Sequence, residues 1–244
     1  MLKRTLIPLA ITFAMLSSSY AAASTDKNAL SDYFDGQFTV QKTFDVTGTK
    51  LTGHVVTYKN NPRAMIAYTH TNPDFMIIQG SMYDKNKKNI TDSQLNEHLA
   101  EKIQQSIHQF SSYTQGQTQN VPNLYAFVDP TCGYCIKLKK ELNPIIAEHK
   151  LSVTYIPVAI RGEEGLARST KLLQDELNIT EQQARDLVNK NTTLFSQTGL
   201  GGTPALFYFT KKQEPVAIPG YIKTSQLNTL LPDMASLQQD KSNG

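Results

Sequence analysis

Residues 127–135 of this chain read Phe-Val-Asp-Pro-Thr-Cys-Gly-Tyr-Cys, and they hold both cysteines of the sequence. An apolar strand, Leu124 to Val128, precedes the Asp-Pro-Thr turn, and apolar residues at helical spacing follow from Ile136 onward. The cysteines are therefore predicted at the start of a helix, where free backbone N–H groups and the helix dipole stabilise an anion. Cys132 is predicted to be the attacking thiolate, and Cys135 the more buried thiol that resolves a mixed disulfide.

A structural disulfide or a zinc site explains this pair of cysteines less well. Bridging two intervening residues removes little entropy from the unfolded chain, so a Cys132–Cys135 disulfide would add little stability. Zinc needs about four ligands, and the sequence has no second C-x-x-C and no H-x-x-x-H. The five histidines are scattered and are interpreted as surface or packing residues. Redox chemistry remains, with Cys132–Cys135 as a redox-active disulfide and with no metal or cofactor.

A second motif follows at residues 201–204, Gly-Gly-Thr-Pro, which opens an apolar strand. The order of elements from residue 122 onward is strand, cysteine-bearing helix, strand, helical insert, hairpin and helix, which is the order of a thioredoxin fold with an insertion. In that fold the Thr203-Pro204 loop faces the C-x-x-C. We therefore predict a cis Thr203–Pro204 peptide bond that presents main-chain groups to an extended substrate.

The first 23 residues have the pattern of a cleaved secretory signal peptide. Lys3 and Arg4 precede the apolar run Leu6 to Leu16, and Ala21-Ala22-Ala23 follows as a small-residue cleavage site. The apolar run is too short to cross a bilayer of about 30 Å. Removal of Lys3 and Arg4 lowers the formal net charge from +3 to +1, and no local cluster of basic residues suggests a nucleic-acid surface.

The rest of the sequence predicts two domains joined by a helix. Residues 31–84 alternate as strands of a small antiparallel sheet, and from Thr91 the apolar period becomes that of an amphipathic helix, capped by Thr91 or Asp92. The polar stretch 111–120 is interpreted as a linker, with a domain boundary near residue 118. The predicted organisation is a signal peptide at 1–23, an N-terminal domain at 24–90, a helix and linker at 91–118 and a thioredoxin-like domain at 119–244.

Three stretches resemble the periplasmic DsbC/DsbG thiol-disulfide isomerases of the thioredoxin superfamily: residues 127–135, the Gly-Thr-Pro-Ala loop at 202–205 and Ile-Ile-Gln-Gly-Ser-Met-Tyr-Asp at 77–84. The resemblance covers nearly the whole mature chain. It implies a cystatin-like dimerisation domain, a linker helix and a thioredoxin domain, which form a V-shaped homodimer around an apolar cleft. By the same match, Cys132 and Cys135 are the redox pair, Gly133 and Tyr134 the tuning dipeptide, and Thr203 with cis-Pro204 the substrate-binding loop.

The chain departs from the family pattern in two ways. It lacks the second disulfide of the DsbC branch, as DsbG does, but carries the Gly-Tyr dipeptide of the DsbC branch, so both branches stay open. Thioredoxin-like reductases usually have a buried acid six residues before the first cysteine, where this chain has Ala126. Proton transfer to Cys135 must therefore use water or another group. Asp129 is nearer in sequence and is interpreted as a bend-forming, partly exposed residue.

Three functions are consistent with these features. The leading hypothesis is a dimeric periplasmic isomerase that reshuffles wrong disulfides in exported proteins. The second is a dithiol oxidase of the same architecture, and the third is a redox-independent holdase chaperone. The direction of the redox reaction stays open, because about 30 mV corresponds to only 1.4 kcal/mol. The expected partners are a second copy of the chain, unfolded or misoxidised exported proteins, and a membrane partner, either a DsbD-like reductant or a DsbB-like oxidant.

Overall fold

The first of two sheets is four-stranded and antiparallel. The computed structural model describes Leu30 and residues 35–70 and 76–237. The predicted signal peptide, residues 1–23, lies outside the described residues. The strands are β1 (Phe38–Asp45), β2 (Leu51–Tyr58), β3 (Asn61–His70) and β4 (Met76–Ile78), paired in chain order. The antiparallel sheet predicted for this region is confirmed.

Helix α1 (Ile90–Ser106) follows the sheet and packs on it through Leu99 and Ile103. The predicted cap at Thr91 or Asp92 is wrong, because the Asn89 side chain accepts the hydrogen bond from the Asp92 backbone N–H at 3.0 Å. The Thr91 hydroxyl is engaged elsewhere. It bonds the buried Tyr68 hydroxyl and accepts from the Met82 N–H at 2.9 Å, so it fastens the helix to the sheet.

The second half of the chain forms a five-stranded mixed sheet in the order β5-β7-β6-β8-β9. Strands β6 and β7 are parallel, and every other neighbouring pair in this sheet is antiparallel. The strands are β5 (Tyr113–Gln115), β6 (Asn123–Val128), β7 (Ser152–Pro157), β8 (Ala205–Phe209) and β9 (Pro215–Pro219). The helices are α2 (Gly133–Ala147), α3 (Gly162–Leu177), α4 (Glu181–Gln197) and α5 (Thr224–Leu230). From β6 onward, the predicted order of elements is confirmed.

Strand β5 lies within the stretch that the sequence predicts to be a linker. The Tyr113 ring is buried and stacks on Tyr155 with 5.3 Å between ring centroids, and Thr114 and Thr154 share a hydrogen bond of 3.0 Å. The linker interpretation of residues 111–120 is therefore wrong at residues 113–115. A three-residue edge strand carries too few apolar side chains to stand out in a polar stretch.

The C-terminal helix is shorter than the sequence predicts. The apolar pattern predicts a helix from Ser225 to Leu237, but α5 ends at Leu230 and a 3₁₀ turn, Leu231–Asp233, follows it. Pro232 has no N–H to continue the α-helical ladder. The chain then returns to the second sheet through an isolated bridge between Thr210 and Met234.

The two sheets share one buried apolar cluster, and each also has a buried cluster of its own. Ile66 of β3, Ile103 of α1 and Phe127 of β6 all belong to the shared cluster. The Ala64 backbone N–H also donates to the Gly199 carbonyl at 2.9 Å. A side chain at Gly199 would lie 3.0 Å from the Ala64 Cβ, and its positive φ of 83° also favours glycine. The loop that leads to Thr203 is therefore held against the N-terminal sheet.

Among the described residues, no helix combines the length and the apolar character that crossing a lipid bilayer requires.

Candidate active site

The two cysteines lie at the start of helix α2, as the sequence predicts. Cys132 is the N-cap residue with φ −80° and ψ 121°, and its backbone N–H donates to the Asp129 carbonyl at 2.9 Å. Both cysteines are free thiols, and their exposed fractions are only 6% for Cys132 and 4% for Cys135. Gly133, the first residue of the helix, has no contact within 4 Å of the position that a Cβ atom would occupy, so the start of the helix is not crowded by other described residues.

The surroundings shift the pKa values of the two thiols in opposite directions. Burial raises the pKa of Cys132, but hydrogen bonds outweigh it, chiefly from the Cys135 N–H and the Thr203 hydroxyl, and leave that pKa below its ordinary value. Burial dominates at Cys135 and raises its pKa to about 12. Cys132 therefore ionises first, and Cys135 stays protonated at neutral pH.

Thr203 contacts the cysteine pair from the opposite side. The Thr203–Pro204 peptide bond is cis, and the Cys132 thiol donates to the Thr203 carbonyl with 3.2 Å between Sγ and O. The Thr203 hydroxyl is buried and has no well-formed hydrogen bond among the described residues, yet it lowers the pKa of both thiols. Both observations are explained by a hydroxyl that lies close to the two sulfurs and forms a good hydrogen bond only when a cysteine is ionised. Thr203 thus offers an acceptor to a thiol and a donor to a thiolate.

Asp129 is fully buried, so its interpretation as a partly exposed bend residue is wrong. One carboxylate oxygen accepts from the backbone N–H and the hydroxyl of Thr131, at 2.9 and 2.6 Å. The other accepts from the backbone N–H groups of Ile160 and Arg161, both at 3.1 Å. Burial is tolerated because four donors surround the carboxylate. Asp129 therefore ties the turn before Cys132 to the segment that begins α3.

Tyr134 is the exposed member of the cysteine motif, with 62% of its surface accessible. Its ring lies 5.7 Å from that of Tyr221, centroid to centroid. Lys137, which lies on the same helix as Tyr134, places its ammonium 4.8 Å from the centroid of the Tyr221 ring. The Tyr221 hydroxyl donates to Glu141 at 2.5 Å, and this hydrogen bond is the main reason that the pKa of Glu141 lies below its ordinary value. Sequence reasoning missed Tyr221; the only signal was that Lys137 and Glu141 share a helix face.

Among residues 35–70 and 76–237, no group of three or more His, Cys, Asp or Glu side chains is close enough to hold a metal ion.

The fold and the dithiol together define the class of protein. The family described as thioredoxin-like domain matches residues 111–235, just over half of the 244 residues. The chain belongs to the thioredoxin-like family, and it is a thiol-disulfide oxidoreductase within it.

Particular relatives are similar over most of the chain. The thiol:disulfide interchange protein DsbG of Pseudomonas aeruginosa is 24% identical over 256 residues, which cover 94% of this chain and 98% of that protein. The Escherichia coli protein of the same name is 21% identical and covers 74% of this chain and 82% of its own length. The solved structure of Helicobacter pylori DsbG has 12% identity and a TM-score of 0.38, and covers 75% of this chain and 98% of that one. The resemblance to the DsbC/DsbG family that the sequence predicts is confirmed.

Proposed function

We propose that this chain is a disulfide isomerase of exported proteins, with Cys132 as the nucleophile and Cys135 as the resolving thiol. The observation that carries the proposal is the contrast between the two thiols in one site. The pKa of Cys132 is lowered, whereas that of Cys135 is raised to about 12. In such a site Cys132 attacks a substrate disulfide readily, whereas Cys135 completes the reduction slowly.

The proposed reaction begins when the Cys132 thiolate attacks one sulfur of a substrate disulfide. A bond forms between Cys132 Sγ and that sulfur, the substrate disulfide breaks, and the other substrate sulfur leaves as a thiolate. Isomerisation follows if another substrate thiolate attacks the substrate sulfur of the mixed disulfide, so that a new substrate disulfide forms and Cys132 leaves as a thiolate again. No net electrons move. Reduction follows instead if the Cys135 thiolate attacks Cys132 Sγ, which oxidises the enzyme pair and releases a substrate dithiol.

The state of Cys135 favours the first of these outcomes. Burial raises the pKa of Cys135 to about 12, so little of this thiol is ionised at pH 7. Both carboxylate oxygens of Asp129 already accept hydrogen bonds from Thr131, Ile160 and Arg161. Resolution by Cys135 is therefore slow, and a substrate thiol has time to attack first.

The groups proposed to hold the substrate surround Cys132. The loop at Thr203 and Pro204 would pair with an extended segment, and the dipeptide Gly133-Tyr134 borders it. Exposed apolar side chains lie at Tyr134, Ile136 and Ile160. Exposed apolar surface of this kind marks a site of interaction with apolar chains, which unfolded proteins present.

The N-terminal domain, residues 24–90, is proposed to be a cystatin-like dimerisation domain, joined by the α1 helix to the catalytic domain. Its sheet leaves β1 and β4 as edge strands, and Tyr58 and Ile77 are exposed on it. Pairing with a second copy would cover these edges. We also propose export to the periplasm through the predicted signal peptide, and recycling by a membrane redox partner. The relatives named DsbG, which match most of the chain, support this assignment.

The test uses the full mature chain and a scrambled substrate with several disulfides. Cys135→Ala should retain most of the reshuffling activity in a glutathione buffer, because isomerisation needs only Cys132, and should lose reduction of the same substrate. Cys132→Ser should lose both. Light scattering should give twice the mass of the chain.

Three outcomes would overturn parts of the proposal. Equal losses of reshuffling and reduction in Cys135→Ala would remove the isomerase argument. A wild-type chain that oxidises reduced substrate but does not reshuffle scrambled substrate would be a dithiol oxidase. A monomeric mass would remove the dimer.

A further inference from the structure

A cavity of about 480 Å³ lies between helices α2 and α3, beside Cys135. Cys135 and Ile136 line it from α2, Leu172 lines it from α3, and Tyr113 and Tyr155 line it from the sheet. Neither Cys132 nor Thr203 belongs to its lining. Its volume lies within the range of about 300 to 1,000 Å³ that is usual for small-molecule sites.

The ring of Tyr155 forms part of the cavity wall, whereas its phenol oxygen has almost no accessible surface. Tyr155 is 1% exposed, and its phenol oxygen has no hydrogen-bond partner among the described residues. A buried hydroxyl without a partner costs about 1 to 3 kcal/mol, so such groups are normally satisfied. Burial raises the pKa of Tyr155, and the phenol therefore stays protonated as a donor.

The mouth of the cavity carries an excess of positive charge. Lys139, Lys140, Arg168 and Lys171 line it, with Asp175 as the only acidic lining residue. Arg168 is paired with Glu164 at 2.6 Å and Lys171 with Asp175 at 2.7 Å. Lys139 and Lys140 have no acidic partner within ion-pair distance in the described part of the chain, and the Lys139 ammonium lies 5.5 Å from the centroid of the Tyr155 ring.

We propose that this cavity binds a small organic anion with a flat apolar body. The body would lie against Tyr113, Tyr155 and Leu172, and the anionic group would pair with Lys139 and Lys140. The combination of apolar walls and two cations without an acidic partner selects an amphipathic anion over a neutral or cationic molecule. The site shares Cys135 and Ile136 with the proposed active site but includes neither Cys132 nor the Thr203 loop, and it does not depend on the proposed function.

The probe for this site is 8-anilinonaphthalene-1-sulfonate, an aromatic sulfonate whose fluorescence rises on binding. The full mature chain should bind it at a single saturable site. The double variant Lys139→Gln/Lys140→Gln should weaken binding by about tenfold or more, because charge-assisted hydrogen bonds are lost. The matched control, Lys211→Gln/Lys212→Gln, removes an adjacent pair of exposed lysines elsewhere and should bind like the wild type.

One further measurement tests the role of the anionic group. The neutral analogue N-phenyl-1-naphthylamine has the same aromatic body and should bind the wild type about tenfold more weakly than the sulfonate does, with equal affinity for both double variants. Equal sulfonate affinity in the two double variants, or equal affinity of the wild type for the sulfonate and the neutral analogue, would overturn the proposal.

Discussion

Replacing Thr203 by valine removes one hydroxyl group at nearly constant volume, and its effect should reverse with pH. In the thiol state the Thr203 hydroxyl is buried without a well-formed hydrogen bond. Its removal should stabilise the reduced protein by about 1 to 3 kcal/mol at pH 5. In the thiolate state the hydroxyl helps to hold the pKa of Cys132 below its ordinary value. A hydrogen bond to a charged group is worth about 1.5 to 3 kcal/mol, and Thr203→Val loses it.

The sign of the pH effect follows from linkage. Because the pKa of Cys132 is lowered by folding, its thiolate contributes stability that is present above the unfolded-chain pKa of about 8.5 and is lost as pH falls through the folded value. The advantage of Thr203→Val over the wild type should therefore shrink or vanish between pH 5 and pH 9. Cys135 stays protonated throughout, since its pKa is about 12.

Urea unfolding of the reduced proteins at both pH values measures this difference, and alkylation of Cys132 against pH gives a second reading. At pH 5 the variant should react about tenfold more slowly or slower still, because a lost hydrogen bond of about 1.5 to 3 kcal/mol exceeds the 1.4 kcal/mol that corresponds to a factor of ten. Thr203→Ser keeps the hydroxyl and should follow the wild-type alkylation profile. A stability gap that is the same at pH 5 and pH 9, together with an unchanged alkylation profile, would refute a hydrogen bond from Thr203 to the thiolate.

Three further predictions test the framework of the site. Gly165→Ala places a methyl group 2.7 Å from an Asp129 carboxylate oxygen, so it should destabilise the protein by about 1 to 3 kcal/mol in thermal unfolding, whereas Gly133→Ala meets open space and should be neutral or stabilising. Asp129→Asn sets an amide N–H₂ against backbone donors and should cost about 2 to 4 kcal/mol in urea unfolding; a cost below 1 kcal/mol would contradict the bonding described. Ala126→Asp adds a buried acid six residues before the first cysteine, where thioredoxin-like reductases usually have one. It should raise the rate of reduction relative to the rate of reshuffling of one scrambled substrate, because a base can then deprotonate Cys135. An unchanged ratio would show that deprotonation of Cys135 does not limit reduction.

Local features of the site could be predicted from the sequence, and features made by distant residues could not. The helix start at Cys132 follows from neighbouring residues alone: an apolar strand, a proline turn and helical spacing. The burial of Asp129 depends on N–H groups of Ile160 and Arg161, more than 30 positions away. The ring of Tyr221 meets the cysteine helix through Glu141, 80 positions earlier. The sequence around Asp129 and the sequence around Tyr221 contain no pattern that predicts these partners.

The loss of the family acid and the burial of Asp129 bear on the same question, which is where the proton of Cys135 goes. Ala126 cannot take it, and the carboxylate of Asp129 already accepts four hydrogen bonds that hold the turn and the start of α3 together. A reductase gains from a base beside its second cysteine, because release of product depends on that thiolate. An isomerase gains from the absence of such a base, because the mixed disulfide then persists long enough for a thiol of the substrate to attack it.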